Sequence, residues 1–399
     1  MIPALQFGSV EVARKHAGRR IPMSAFVERY IDGSIDVDGD LQRFLRGCDG
    51  VINYRLTMDQ LKFIALKFIP SLLVHSKSVD KKFVTEHYDR GNDFFEAFLG
   101  ETMVYTSAFF KGRDERLETA QRRKIRYVGE KLQLKKGERL LDIGCGWGTL
   151  VADLVDQFGV DGTGVTLSSK QTEFAMDRIR ARGLGDRARI LTQDYRDIGN
   201  APFDKISCLE MAEHVGVKNF QKFLRQVSGM LSDDGLFFLQ IVGLRRPPEG
   251  MLFRNDRGGY WNARDFSWTM FMSRYIFPGA DASLPLSFVA TQLEKAGFEI
   301  RTVENINVHY GLTIHRWYEN WKANREKVIA AYGQWWYRLW HLFLAWSSIN
   351  GEQGRGDCFQ IVAHKSRREF DRSRWMRPQP ALGEFSVDDA PAVPRRIGS

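Results

Sequence analysis

A chain of 399 residues can bury a large core and suggests one to three domains. With 43% hydrophobic and 27% charged residues it is neither disordered nor fibrous. Its net charge of +9 favours anionic surfaces, but the positive residues are scattered, which excludes a basic nucleic-acid tail.

The four cysteines, Cys48, Cys145, Cys208 and Cys358, lie far apart with no C-x-x-C and no histidine at metal spacing. This predicts a reduced, intracellular protein without a disulfide framework or a metal site. The amino terminus lacks the apolar stretch of a signal peptide, and no segment reaches about 18 uninterrupted apolar residues. The nearest, 61–74, is broken by Lys62, Lys67 and Pro70. A cytoplasmic protein is expected, without nucleic acid as a partner; peripheral membrane contact and an oligomeric state both stay open.

Residues 1–80 read as a mostly helical or mixed extension, in which 61–68 has helical spacing and Pro70 ends it. A charged amphipathic helix over 115–132 carries Leu117, Ile125, Val128 and Leu132 on one side. From there the pattern alternates as in a parallel α/β sheet: strand 139–143, helix 148–158, strand 160–166, helix 168–182 and strand 188–192. Strand 204–209, helix 218–231 and strand 236–242 follow. An insertion over 243–285 is marked by Pro247-Pro248, Gly250 and Gly258-Gly259. It holds Phe253, Tyr260, Trp261, Phe266, Trp268, Phe271, Tyr275 and Phe277, a density that suggests a segment covering a substrate. Helix 286–296 and strand 298–304 resume the pattern. The stretch 335–346 reads as a helix apolar all round, either core or the wall of a lipid channel. The domain proper is expected to end near 364, with a polar, flexible tail over 365–399.

The most informative segment is Leu140-Leu141-Asp142-Ile143-Gly144-Cys145-Gly146-Trp147-Gly148. A buried strand runs into an acidic residue and a tight glycine turn that lets a ligand approach the backbone. Such turns stand at the switch point of nucleotide-binding α/β folds. The phosphate-loop lysine is missing. The second strand ends at Thr166 with Gln171 one helical turn on, and no carboxylate stands there for the ribose of a dinucleotide, which argues against NAD. Asp194 follows the third strand, where it could accept from an adenine amino group or simply cap a turn. After the fourth strand come Glu210, Glu213 and His214. One Glu would hold a charged substrate group or act as base, the other being structural.

The segments 87–95, 105–107, the glycine turn, Glu213-His214-Val215-Gly216 and His309-Tyr310 occur in an order that resembles the cyclopropane-fatty-acid-synthase family of S-adenosylmethionine-dependent methyltransferases. The resemblance covers about residues 80–364. Segments 75–76, 277–283 and 309–321 look most like the sphingolipid C9-methyltransferases, relatives that carry amino-terminal membrane spans. It implies a Rossmann-like class I sheet and S-adenosylmethionine near Tyr105, Thr106, Asp142, Gly144, Gly146, Thr166, Gln171 and Asp194. It also implies catalytic roles for Glu213, Tyr310, Gln240, Ser107 and His214. In cyclopropane synthases a bicarbonate ion beside the substrate acts as base, held by Cys, Glu, His, Ile and Tyr. The matching positions here are Ser107, Glu213, Gln240, Val242 and Tyr310. Loss of the Cys and the His argues against a ring-closed product and makes bicarbonate a doubtful cofactor.

The function expected is C-methylation of an unsaturated lipid chain, sphingoid or fatty acyl, through a carbocation. The alternatives are an N- or S-methyltransferase acting on a small soluble metabolite, and a non-catalytic S-adenosylmethionine-binding protein.

Overall fold

The computed structural model describes residues 4–68, 70, 90–199, 202–244, 263–278 and 284–375. Residues 4–68 form β1 (Leu5–Phe7), α1 (Val10–His16), β2 (Ile21–Pro22), α2 (Met23–Ile31), β3 (Ile35–Val37), α3 (Leu41–Gly47), β4 (Ile52–Asn53) and α4 (Met58–Phe63). The helix α4 widens into a π turn at Ile64–Phe68. β1 pairs antiparallel with β3, and β2 parallel with β4. The unit is therefore mixed, one of the two readings the sequence leaves open. Strands this short show no period of two, and their pairing is set by packing.

Two helices follow, α5 (Asn92–Leu99) and α6 (Leu117–Lys131). The expected alternation then appears as β5 (Arg139–Ile143), α7 (Thr149–Phe158), β6 (Asp161–Thr166), α8 (Ser169–Ala181), β7 (Ala188–Thr192), β8 (Phe203–Leu209), α9 (Phe220–Met230) and β9 (Leu231–Gly243). The described part of the insertion gives α10 (Ala263–Phe271) and a π turn to Ile276. After it come α11 (Leu286–Lys295), β10 (Phe298–Asn305), α12 (Asn307–Ala323), α13 (Arg325–Tyr332), α14 (Gln334–Glu352) and β11 (Asp357–Lys365).

Seven strands make one sheet in the order β10-β11-β9-β8-β5-β6-β7. Strands β9, β8, β5, β6 and β7 run parallel, whereas β11 lies antiparallel between β9 and β10. The chain winds outward from β5 to β6 and β7, then returns to β8 on the other flank of β5. The carboxyl ends of β5 and β8 thus diverge at a switch point, where α/β sheets open a crevice for a ligand.

The helix expected over 335–346 is the longer α14, and it is core. Trp340 and Trp346 are fully buried in one continuous cluster with α5, α12 and the amino-terminal unit. Its approach to the sheet edge is through Phe343, 6.1 Å between ring centroids from Phe277. Within 366–375, part of the expected flexible tail, two side chains are anchored: Phe370 is buried and stacks on His364 at 3.6 Å, and Arg372 pairs with Glu299 at 2.6 Å. The expected boundary near residue 80 lies outside the described residues. So do His75-Ser76, 87–89, Pro247-Pro248, Gly250, Phe253, Gly258-Gly259, Tyr260, Trp261, 279–283 and the tail beyond 375.

A single buried cation ties the amino-terminal unit to α14. The Arg338 guanidinium donates to the carbonyls of Tyr30 and Ile35 and to Asp36 Oδ2 at 3.0 Å, and lies over the Tyr30 ring at 4.2 Å. Removing it strands two buried carbonyls. We expect Arg338→Met to lower stability by about 2–4 kcal/mol. Early loss of amide protection in residues 21–53 by hydrogen exchange would check this, and protection equal to wild type would refute it.

Candidate active site

The glycine turn is built as its sequence predicts. Gly144, Gly146 and Gly148 all have left-handed φ angles, +79°, +53° and +72°. A Cβ on Gly144 would lie 2.5 Å from Met211, and one on Gly148 would lie 2.7 Å from Ala175. At Gly146 a Cβ would meet nothing within 4 Å. That empty space belongs to a cleft of about 1150 Å³ at the sheet edge.

All eight residues expected near the cofactor line this cleft: Tyr105, Thr106, Asp142, Gly144, Gly146, Thr166, Gln171 and Asp194. Asp142 is the penultimate residue of β5, is buried, and accepts from Ser207 Oγ at 2.7 Å; burial pushes its carboxyl up to about 6. Thr166 Oγ1 donates to Gln171 Oε1 at 2.6 Å, so these two residues expected near the cofactor are pre-positioned by each other. Asp194 is bound at both oxygens by the Arg196 guanidinium and also caps the turn Tyr195–Asp197. Its capping and ligand-facing readings are compatible, since it lines the cleft as well.

The expected catalytic residues divide. His214 lines the cleft, its ring edge-on to Phe277 at 5.9 Å. Ser107, Glu213, Gln240 and Tyr310 do not line it; Glu210 does. Glu213 is 6% exposed, and its Oε1 accepts from the Val242 N–H at 2.6 Å. Its Oε2 is buried with no hydrogen-bond partner among the described residues. Burial, with the neighbouring Glu210 charge, pushes the Glu213 carboxyl up to about 8. Burial also raises Glu210 and, with both carboxylates near, the Tyr310 hydroxyl.

Glu210 terminates a polarised chain of hydrogen bonds. Its Oε1 accepts from Gln240 Nε2 at 2.6 Å and from the Ser107 N–H at 3.0 Å. Gln240 Oε1 accepts from Gln360 Nε2 at 2.8 Å, and Gln360 Oε1 from Lys131 Nζ at 2.7 Å. Lys131 also donates to Glu304. An ammonium can only donate, so Lys131 fixes which way both amides face.

Lys124 and Lys131 escape the sequence reading, which takes α6 as one apolar side and one charged side. Leu117, Ile125, Val128 and Leu132 are buried as expected, but so are Gln121, Arg123, Lys124 and Lys131. Each has partners from distant segments, which periodicity cannot register. Lys124 Nζ donates to Thr106 Oγ1 at 2.8 Å beside Glu210 and Asp142, and burial pulls its ammonium down to about 8. It lines the cleft, a cation balancing two carboxylates.

The family model for mycolic acid cyclopropane synthetase matches residues 75–361. The chain belongs to this family. A sphingolipid C9-methyltransferase of Komagataella phaffii is 44% identical over 95% of this chain and 77% of its own length. Among solved structures, the cyclopropane synthase MmaA2 of Mycobacterium tuberculosis superposes with a TM-score of 0.64 at 28% identity, over 71% of this chain and 98% of that one. The mycolic acid cyclopropane synthase CmaA1 complexed with SAH and CTAB gives 0.65 at 27%, over 71% and 98%. The fold is that of class I S-adenosylmethionine-dependent methyltransferases, and this chain is such an enzyme with S-adenosylmethionine as its cofactor. The cleft fits that group: a glycine cradle open at Gly146, and Asp142 and Glu210 to face a cation.

A carboxyl whose folded pKa is raised binds a proton more readily in the native state, so it contributes stability that is present at low pH and lost as pH rises towards that pKa. For Glu213 the window runs from about 4.5 to about 8. Glu213→Gln should therefore melt higher than wild type by several degrees at pH 9, with the difference shrinking towards pH 5. A difference independent of pH would show that Glu213 is not held in this way.

Proposed function

We propose that this methyltransferase C-methylates the double bond of an unsaturated lipid chain, sphingoid or fatty acyl. The observation that carries the reading is the 44% identity with a sphingolipid C9-methyltransferase along 95% of the chain. The cleft residues support it, because they suit a reaction that begins and continues as a cation.

S-adenosylmethionine supplies an electrophilic methyl group on a sulfonium. Tyr105, Thr106, Asp142, Gly144, Gly146, Thr166, Gln171 and Asp194 would hold it, with the Asp142 carboxylate answering its positive charge. Holding the alkene in line with that methyl is worth roughly 7–11 kcal/mol of the barrier. Attack by the π pair leaves a carbocation on the chain. The Tyr105 ring and the Glu210 carboxylate, which both line the cleft, stabilise it. Glu213 contributes from behind the cleft, its position pinned through the Val242 N–H. Loss of a proton from the methylated carbon restores a branched alkene.

The apolar chain would lie against the apolar and aromatic part of the cleft lining, including Tyr105, Leu209, Met211 and Val215. The net charge of +9 brings the enzyme to an anionic membrane surface. Among the described residues no helix is long and apolar enough to cross a membrane.

Incubation with methyl-labelled S-adenosylmethionine and unsaturated sphingolipid or phospholipid in mixed micelles should move label into the organic phase, as a methyl branch located by mass spectrometry. Label confined to water-soluble products would overturn the reading. Glu213→Gln should lower kcat by roughly 10²-fold while S-adenosylmethionine affinity stays within a few-fold.

A further inference from the structure

At three of the five positions matched to a bicarbonate site, Ser107, Gln240 and Val242, a hydrogen-bond donor is committed to a carboxylate. The Ser107 N–H and Gln240 Nε2 both donate to Glu210 Oε1, at 3.0 and 2.6 Å, and the Val242 N–H donates to Glu213 Oε1. The Cys358 thiol lies 3.8 Å from the same Glu210 oxygen. A bicarbonate here would find these donors taken and would add a negative charge beside two carboxylates. The residues present do not fit that ion.

We propose that the Glu210 carboxylate is the built-in substitute for that anion and the proton acceptor of the methylation. This rests on the reading that the reaction is C-methylation of an alkene. Three further observations support it. Of the two carboxylates after β8, Glu210 lines the cleft and Glu213 does not. Glu210 has a φ of +52°, a left-handed conformation in which glycine is at ease and a glutamate is strained. Strain of this kind persists where the surroundings over-determine a residue, and it gathers at working sites. The contacts also converge on one oxygen, Oε1, so the carboxylate can present Oε2 to the cleft. The Lys131-Gln360-Gln240 chain ensures that an amide N–H, never a carbonyl, meets Oε1.

The step balances without any exogenous base. The alkene π pair forms the new C–C bond to the methyl, and the S–C electrons stay on sulfur. The C–H pair on the methylated carbon then re-forms the double bond, and its proton goes to Glu210, which later releases it to solvent. Burial raises the proton affinity of Glu210, in the direction a base needs.

The test compares wild type, Glu210→Gln and Glu210→Gly in carbon-dioxide-stripped buffer with and without added bicarbonate. Glycine relaxes the backbone at this position and frees the donors. Wild type should methylate the lipid at the same rate in both buffers and bind no ¹³C-bicarbonate by NMR. Both variants should keep S-adenosylmethionine affinity and lose roughly 10²–10⁴ in kcat. Glu210→Gly should bind ¹³C-bicarbonate and recover part of its rate when the ion is added. A wild-type rate that falls on stripping and returns with bicarbonate would overturn the proposal while leaving lipid methylation standing. So would a Glu210→Gly variant that turns over at the wild-type rate in stripped buffer. A wild type that methylates no lipid under either condition removes the C-methylation reading itself.

Discussion

Two carboxylates share one dry corner at the end of β8, and much of the molecule is arranged around holding them there. Bringing like charges together away from water is unfavourable, and each raises the proton affinity of the other. The compensation comes from far along the chain. Lys124 reaches in from α6, the Ser107 N–H from the segment after α5, and Gln240 and the Val242 N–H from β9. Cys358 and Gln360 stand on β11, which pairs antiparallel with β9 and so puts Gln360 opposite Gln240 in register. A strand inserted against the parallel direction of its neighbours thus carries the polar chain that ends on Glu210.

The methyltransferase sheet was legible because its local signals agree. Apolar runs of strand length alternate with amphipathic stretches, and glycines stand where left-handed φ angles are required. β5, β6, β7 and β8 were bounded within a residue or two. The elements missed include β11 and α12. β11, Asp-Cys-Phe-Gln-Ile-Val-Ala-His-Lys, is buried almost throughout, so its sequence has no alternation, and its polar residues are paired internally. α12 mixes aromatic and polar residues on a helix packed on several sides, against α14, α5 and β11. β11 has no face that meets water, and α12 hides its period by burying Asn307 and Thr313 while exposing Val308.

The site was legible to a different depth on its two halves. The cofactor side depends on turn chemistry and strand ends, which are local, and every residue nominated there lines the cleft. The acceptor side depends on contacts between separate elements, some of them between residues more than a hundred positions apart. Glu210 and Glu213 look alike in the sequence, and nothing in it says which faces the cleft. Lys124 and Lys131 look like the solvated side of a charged helix. Their burial follows from Thr106, Glu210, Gln360 and Glu304 meeting them in space.

A glutamine at position 240, where the resemblance implies a histidine, changes more than one hydrogen bond. An imidazole in that place could take up or release a proton near neutral pH and reorient with its charge. An amide cannot titrate, and either of its ends can face a partner, so its direction must be imposed from outside. Lys131 imposes it, through Gln360, as a buried donor that cannot accept. Proton movement is thereby removed from the wall of the site and concentrated on the carboxylates at the end of β8. The sulfonium and the carbocation that follows are both positive. A corner that stores negative charge at some expense to stability therefore gives up that strain progressively as the reaction proceeds, and differential stabilisation of this kind lowers the barrier instead of merely tightening binding.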